Sequence, residues 1–155
     1  MLNARSRWRT NIRVTVRDLA GRVLDIQEFH NLITNDGLNL LRDGLSGDVT
    51  DSEIKYVAIG DNNTAPLVGD TALGNETFRK ARTSYTRPAA GQVNTVHYIA
   101  PAEAVGVIEE LGWFAGAAAG AGAGSGEMIA RVLYSRTKTN LESIQIERLD
   151  TFEEA

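Results

Sequence analysis

The chain has no cysteine, and that absence removes a disulfide framework, a thiolate metal site and a thiol nucleophile in one step. It leaves the redox compartment open, since a cysteine-free chain tolerates either setting. Histidine is nearly as scarce. His30 and His97 lie far apart, and neither has a His, Asp or Glu at ligand spacing on its own element. A structural role is the better reading for both, and no metal or other cofactor is expected. No apolar run reaches about 18 residues, so nothing reads as a membrane span. Residues 1–20 scatter arginine among polar side chains where a secretory signal needs a continuous apolar block. The expectation is a soluble protein made in the cytoplasm of its producing cell.

Catalytic signatures are missing as well. The glycine-rich run Ala115 to Gly126 lacks the Gly-Lys-Ser/Thr ending of a phosphate-binding loop, and no basic residue follows it until Arg131. No serine sits in a G-x-S-x-G elbow. Glu109 and Glu110 are neighbours, so in a strand they point to opposite faces and cannot pair as acid and base. Asp61, Asn62, Asn63 and Asp70 offer oxygens, but their spacing fits no EF-hand and no bidentate Glu follows. Turn chemistry explains all four. The chain is read as non-enzymatic.

What is present is ordinary globular composition, 43% hydrophobic and 23% charged over 155 residues, a length suited to one domain with its own core. The net charge of -4 hides an arrangement along the chain. Residues 1–22 carry Arg5, Arg7, Arg9, Arg13, Arg17 and Arg22 against Asp18 alone. Residues 142–155 carry Glu142, Glu147, Asp150, Glu153 and Glu154 against Arg148. Such ends can pair within one chain, pair between neighbouring copies, or stay solvated. Residues 1–11 read as an arm ordered by a partner. In it, Trp8 among Arg5, Arg7 and Arg9 forms an anchor-plus-charge patch, unless Trp8 folds back onto the domain. An arginine-rich arm on an acidic chain without a stacking platform does not make nucleic acid the main partner.

Residues 12–150 read as the domain, and 151–155 as an acidic tail. Ile12 to Arg17 and Arg22 to Phe29 alternate around Asp18-Leu19-Ala20-Gly21, which predicts a β-hairpin. Thr34-Asn35-Asp36-Gly37 is a helix start, and Leu38, Leu41 and Leu45 repeat at helical spacing before Ser46-Gly47, so this leucine face is expected to lie on a sheet. Further strands are expected at Ile54 to Ile59, Ala81 to Arg87, Gln92 to Ala100, Val107 to Phe114, Met128 to Ser135 and Ser143 to Leu149. The run 115–126 reads as a flexible hairpin tip. About eight strands with short connections and one short amphipathic helix give a mainly β fold, an antiparallel β-sandwich, of which a jelly roll is one form.

The stretch Tyr56 to Lys80 organises this reading. A buried strand, Tyr56-Val57-Ala58-Ile59, leads into turn formers at Gly60-Asp61-Asn62-Asn63, then Pro66, then Asp70-Thr71 as a cap on a turn through Ala72 and Leu73. Leu67, Val68 and Leu73 punctuate it as apolar anchors. This is an ordered loop packed on a sheet. Asp61, Asn62 and Asp70 are candidate contact residues for a neighbouring subunit, together with Arg5, Arg7, Trp8 and Arg9 of the arm.

Asn31 to Leu41, Tyr56 to Asp61, Thr64-Ala65-Pro66, Asp70 to Leu73, Glu76, Phe78-Arg79-Lys80, Glu109 to Phe114 and Met128 to Val132 together resemble, in that order, tailed-bacteriophage virion proteins of the tail fibre or tail-collar fibre type. The resemblance spans roughly residues 12–150 and implies a non-enzymatic, oligomeric structural protein of the virion whose partners are other virion proteins. It carries over no binding residues. The sequence has no long repetitive shaft, which favours a connecting or decorating piece. Two placements follow from it: a tail, baseplate or fibre-attachment protein, or a capsid decoration protein clamping the major capsid lattice through its arm. No membrane partner is expected.

Overall fold

The computed structural model describes residues 5–154. Two antiparallel five-stranded sheets face one another, as the strand pattern predicts. Sheet A has the order β2-β1-β10-β7-β6, built from β1 (Ser6–Asp18), β2 (Val23–Phe29), β6 (Ser84–Thr86), β7 (Gln92–Ile99) and β10 (Glu142–Glu154). Sheet B has the order β3-β9-β8-β4-β5, from β3 (Leu32–Ile33), β4 (Ile54–Gly60), β5 (Glu76–Ala81), β8 (Gly106–Ala115) and β9 (Glu127–Lys138). The helix α1 (Asn35–Ser46) follows β3. The segment Ala81 to Arg87 is not one strand. Its start completes β5 in sheet B, and Ser84–Thr86 pairs with β7 in sheet A, so the chain changes sheets at Arg82-Thr83.

Alternation places the core. Ile12, Val14, Val16, Ile144, Ile146 and Ile99 line the inner face of sheet A. Val57, Ile59, Leu111 and Trp113 meet them from sheet B. Burying such side chains contributes roughly 1.5–3 kcal/mol each relative to leaving them in water. The hairpin forms as expected: the Asp18 carboxylate accepts from the N–H groups of Ala20 and Arg22, both at 2.9 Å, and fixes the turn.

The terminal segments differ from the expected arm and tail. From Ser6 onward the basic end is strand β1, paired with β10 in one unbroken register from Ser6 opposite Glu154 to Asp18 opposite Glu142. The domain therefore takes in residues 6–11 and 151–154. Residues 1–4 of the expected arm, and Ala155, lie outside the described residues.

The helix starts where predicted, with Thr34 as N-cap accepting from the Gly37 N–H at 3.1 Å. Its buried face is another matter. Gly37 and Leu40 are buried, whereas Leu38 and Leu45 face solvent. The reason is a close approach: a Cβ at Gly37 would lie 2.6 Å from the Ile129 carbonyl oxygen. The helix docks through its glycine onto the backbone of β9, which turns Leu38 and Leu45 of the expected stripe outward while Leu41 stays half-buried beside Leu40.

The glycine-rich run is folded rather than a loose tip. Arg79 Nη1 donates to the carbonyls of Gly120 at 3.1 Å and Ser125 at 2.8 Å, while the Ser125 hydroxyl accepts from Gly120 N–H at 3.0 Å.

Candidate assembly surface and its buried charges

Between β4 and β5 the chain makes the excursion 61–75 across the outer face of sheet B. Gly60 opens it because a side chain there would run into the Glu110 carboxylate and the Asn75 carbonyl. Asn62 makes an Asx turn, its Oδ1 accepting from Thr64 N–H at 2.8 Å. Asp61 ties the ends together, accepting from Asn75 Nδ2 at 2.6 Å. Asp70 accepts from Leu67 N–H at 2.9 Å, so it caps the turn before it and not, as expected, the one after. Leu73 anchors the loop in a small second core with Ala58, Phe114 and Met128.

A buried ion network pins this loop from below. Glu110, fully buried on β8, accepts from the backbone N–H groups of Gly74 at 3.0 Å and Asn75 at 2.9 Å. It also accepts from Arg131 of β9, with Nε at 2.8 Å and Nη2 at 2.7 Å. Arg131 reaches the loop itself, donating to Asp70 at 3.0 Å and to the Thr64 carbonyl at 2.9 Å. Desolvating two charges is unfavourable, and excellent geometry with satisfied lone pairs is what offsets it. The turn Leu67–Asp70 is in turn fastened to the helix, since Asn35 N–H donates to the Val68 carbonyl at 2.7 Å. Leu67 and Val68 are exposed, as are Leu38 and Leu45 of α1.

The seven candidate contact residues from the sequence do not form one site. Asp61, Asn62 and Asp70 serve the loop's own hydrogen bonds. Arg7 and Arg9 both pair with Glu153, at 2.7 Å and 3.3 Å, so the oppositely charged ends meet within the chain. Pairs this exposed are worth about 0–1 kcal/mol. Trp8 folds back: it stacks on Phe152 with ring centroids 5.3 Å apart and donates from Nε1 to Asp150 at 2.7 Å. Arg5 is exposed and precedes β1.

Trp8 belongs to a second buried network that sequence reading missed. Arg148 and Asp150, both fully enclosed, make a bidentate pair at 2.8 Å and 2.7 Å on the inner face of sheet A. The guanidinium sits 5.1 Å from the Trp113 ring centroid. Next to this pair, where sheet A faces α1, is a cleft of about 450 Å³ walled by Trp8, Phe152, Tyr85, Leu40 and Ile54. Its charged groups are neutralised locally, Asp150 by Arg148 and Glu53 by Arg82. They leave a largely apolar, charge-balanced hollow.

His97 lies wholly inside the sandwich. Burial is the main force holding its pKa down to about 3, aided by the Arg82 and Arg148 guanidiniums and opposed by the Lys55 carbonyl. The ring is neutral at physiological pH. His30 is on the surface, with Nδ1 against the Thr10 carbonyl. Among the described residues, no group of three or more His, Cys, Asp or Glu side chains is placed to hold a metal ion.

One signal in the sequence pointed to the missed residues. Arg131 interrupts the apolar run Met128 to Val132, and Arg148 falls in phase with Ile144 and Ile146. A charge at an inward position calls for a buried partner. Comparison with known proteins identifies no relative: no family model, no curated protein and no solved structure matches the chain.

Proposed function

We propose that this chain is a non-enzymatic structural component of a tailed-bacteriophage particle: a tail, baseplate or fibre-attachment piece that assembles with other virion proteins and with copies of itself. The observation that carries the reading is the pinned excursion. The residues that resemble tail-fibre-type virion proteins, Tyr56 to Asp61, Thr64 to Pro66, Asp70 to Leu73 and Glu109 to Phe114, include those that build, fasten and support it. A loop locked by a buried ion network and hydrogen-bonded to a helix is preorganised, and preorganisation lowers the ordering entropy a contact must overcome. Virion proteins are the proposed partners, and nucleic acid and membrane are not.

The capsid-decoration alternative drew on an Arg/Trp arm free to clamp capsomers. Arg7, Trp8 and Arg9 are engaged on β10, so the tail placement stands ahead of it. Reconstruction of the intact particle tests the choice. Density fitting this sandwich at the tail or baseplate is the expected result, and density confined to capsomer faces would overturn it.

A further inference from the structure

The outer face of sheet A carries a polar groove whose parts the strand register joins. Ile12 and Val14 are buried in the core, so their neighbours Asn11 and Arg13 point outward. The pairing sets Asn11 opposite Leu149 of β10, and Leu149 opposite Asn94 of β7. One row along, Arg13 stands opposite Glu147; one row the other way, Arg9 stands opposite Thr151 and Thr151 opposite Gln92. Two hollows of about 270 Å³ and 290 Å³ lie on this face. They adjoin, because Asn11 and Leu149 line both. Thr86 and Pro88 wall the first, and Arg9 and Gln92 wall the second.

The chemistry of the groove selects its occupant. Asn11, Asn94 and Glu147 line it, and their side chains make no hydrogen bond or ion pair among the described residues. An amide offers both donors and an acceptor, which suits a hydroxyl, itself donor and acceptor. Leu149 forms an apolar floor between the two amides, which sit two strand spacings, about 10 Å, apart. That width seats one ring with an amide at each edge. The cations are already matched, Arg13 by Glu28 at 2.6 Å and Arg9 by Glu153 at 3.3 Å. An anion would therefore meet the free Glu147 carboxylate, and a neutral ligand meets no net field. An apolar side chain would desolvate the amides without bonding them. An extended peptide adds to a sheet through unpaired backbone groups, whereas β1, β10 and β7 each have a strand on both sides.

We propose that the outer face of sheet A binds a neutral saccharide, with one ring over Leu149 between Asn11 and Asn94 and a ring hydroxyl donating to Glu147. The inference goes beyond the assembly reading and does not depend on it. With no aromatic platform in the groove, each site binds weakly, and multivalent display makes the binding visible.

The test probes an array of neutral, sialylated and phosphorylated glycans with the labelled full chain. Neutral glycans should bind. The strongest neutral binder, titrated into the ¹⁵N-labelled chain, should shift the side-chain amide signals of Asn11 and Asn94 and leave those of Asn62 and Asn75 in place. Added salt should leave its affinity unchanged, since no net charge is screened. Asn11→Ala with Asn94→Ala should weaken binding about tenfold or more, with an unchanged unfolding midpoint. Where that double variant is destabilised, Glu147→Ala carries the test, with binding weakened about fivefold or more. An array without a neutral binder, binding confined to the anionic glycans, or folded variants that bind as well as the wild type would overturn the inference. None of these results bears on where the protein sits in a particle, which the reconstruction decides.

Discussion

The Arg131 guanidinium lies 2.7 Å from the Glu110 carboxylate, with side-chain exposures of 4% and 0%. The pair joins neighbouring strands of sheet B, yet most of its remaining hydrogen bonds go to the excursion: to Gly74 and Asn75 from one partner, to Thr64 and Asp70 from the other. It is a fastening between a rigid sheet and a loop that has no ladder of its own.

Removing the Glu110 charge leaves Arg131 buried with only Asp70 as a counter-charge, and removing Arg131 leaves the Glu110 carboxylate buried with only the Gly74 and Asn75 N–H groups. Glu110→Gln and Arg131→Met should each lower stability by about 3–5 kcal/mol, read from urea unfolding. The double variant Glu110→Met/Arg131→Met should recover only part of this loss. It removes both charges, but the N–H groups of Gly74 and Asn75 then lose their acceptor at about 1–3 kcal/mol apiece. A double variant as stable as the wild type would show that the loop does not depend on the pair.

His97 makes a pH prediction whose sign follows from its lowered pKa. The native ring stays neutral down to about 3, whereas an unfolded chain protonates near 6.5. The unfolded state therefore binds more protons below pH 6.5, and stability should fall from there downward at up to about 1.4 kcal/mol per pH unit. Asp18, Asp51, Glu103 and Glu142, whose values are lowered in the folded chain, add their own loss only as pH falls towards about 4, where the unfolded carboxylates protonate. His97→Leu should flatten the window between about 6.5 and that point. Equal slopes for the variant and the wild type would refute the buried neutral ring.

The sandwich, the hairpin and the helix start were legible because each is local: a period of two, a turn cluster, a capping residue. What escaped is set by partners distant in sequence. No helical-wheel argument shows that Gly37 must touch the Ile129 carbonyl, so Leu38 and Leu45 were assigned to the wrong side. The alternation that begins at Ile12 fades by Thr10, because Trp8 and Thr10 face Phe152 and Asp150 across the sheet, and a strand end held by its far terminus looks like an arm. Asp61, Asn62 and Asp70 were correctly seen as turn formers. That they also tie the loop to itself and to β9 depends on Asn75 and Arg131, which only the folded chain brings near.

One substitution made at two glycines of α1 should act with opposite signs. At Gly37 a Cβ would press on the Ile129 backbone at 2.6 Å and 3.0 Å, and overpacking of this kind costs about 1–3 kcal/mol. At Gly44 the nearest atom to a new Cβ is Ser52 Oγ at 3.9 Å, so Gly44→Ala should stabilise by about 0.5–1 kcal/mol through helix propensity. Thermal unfolding of both variants decides it, and a stabilising Gly37→Ala would mean that the helix is not seated on β9 as described.

Arg79 holds the glycine-rich run through a geometry that lysine cannot copy. Its Nε and Nη2 form a fork on the Glu76 carboxylate, both at 2.9 Å, while Nη1 donates to the carbonyls of Gly120 and Ser125 and to the Ser125 hydroxyl. The guanidinium plane covers the Phe114 ring, 4.0 Å from its centroid. A planar fork serves the carboxylate, the loop and the ring at once, and a point charge on a flexible stem serves one of them. Arg79→Lys should therefore release residues 116–126 while sheet B persists. Elastase, which cuts after alanine, should cleave the variant in this run at least about tenfold faster, because local opening exposes a segment that owes its order to a few contacts. Amide exchange at Gly120 and Gly124, whose N–H groups bond Ser125 Oγ and Glu76, should accelerate with it, whereas exchange in β8 and β9 should not. If cleavage and exchange stay at wild-type rates, the run orders itself through Ser125 alone, and Arg79 serves only to cover Phe114.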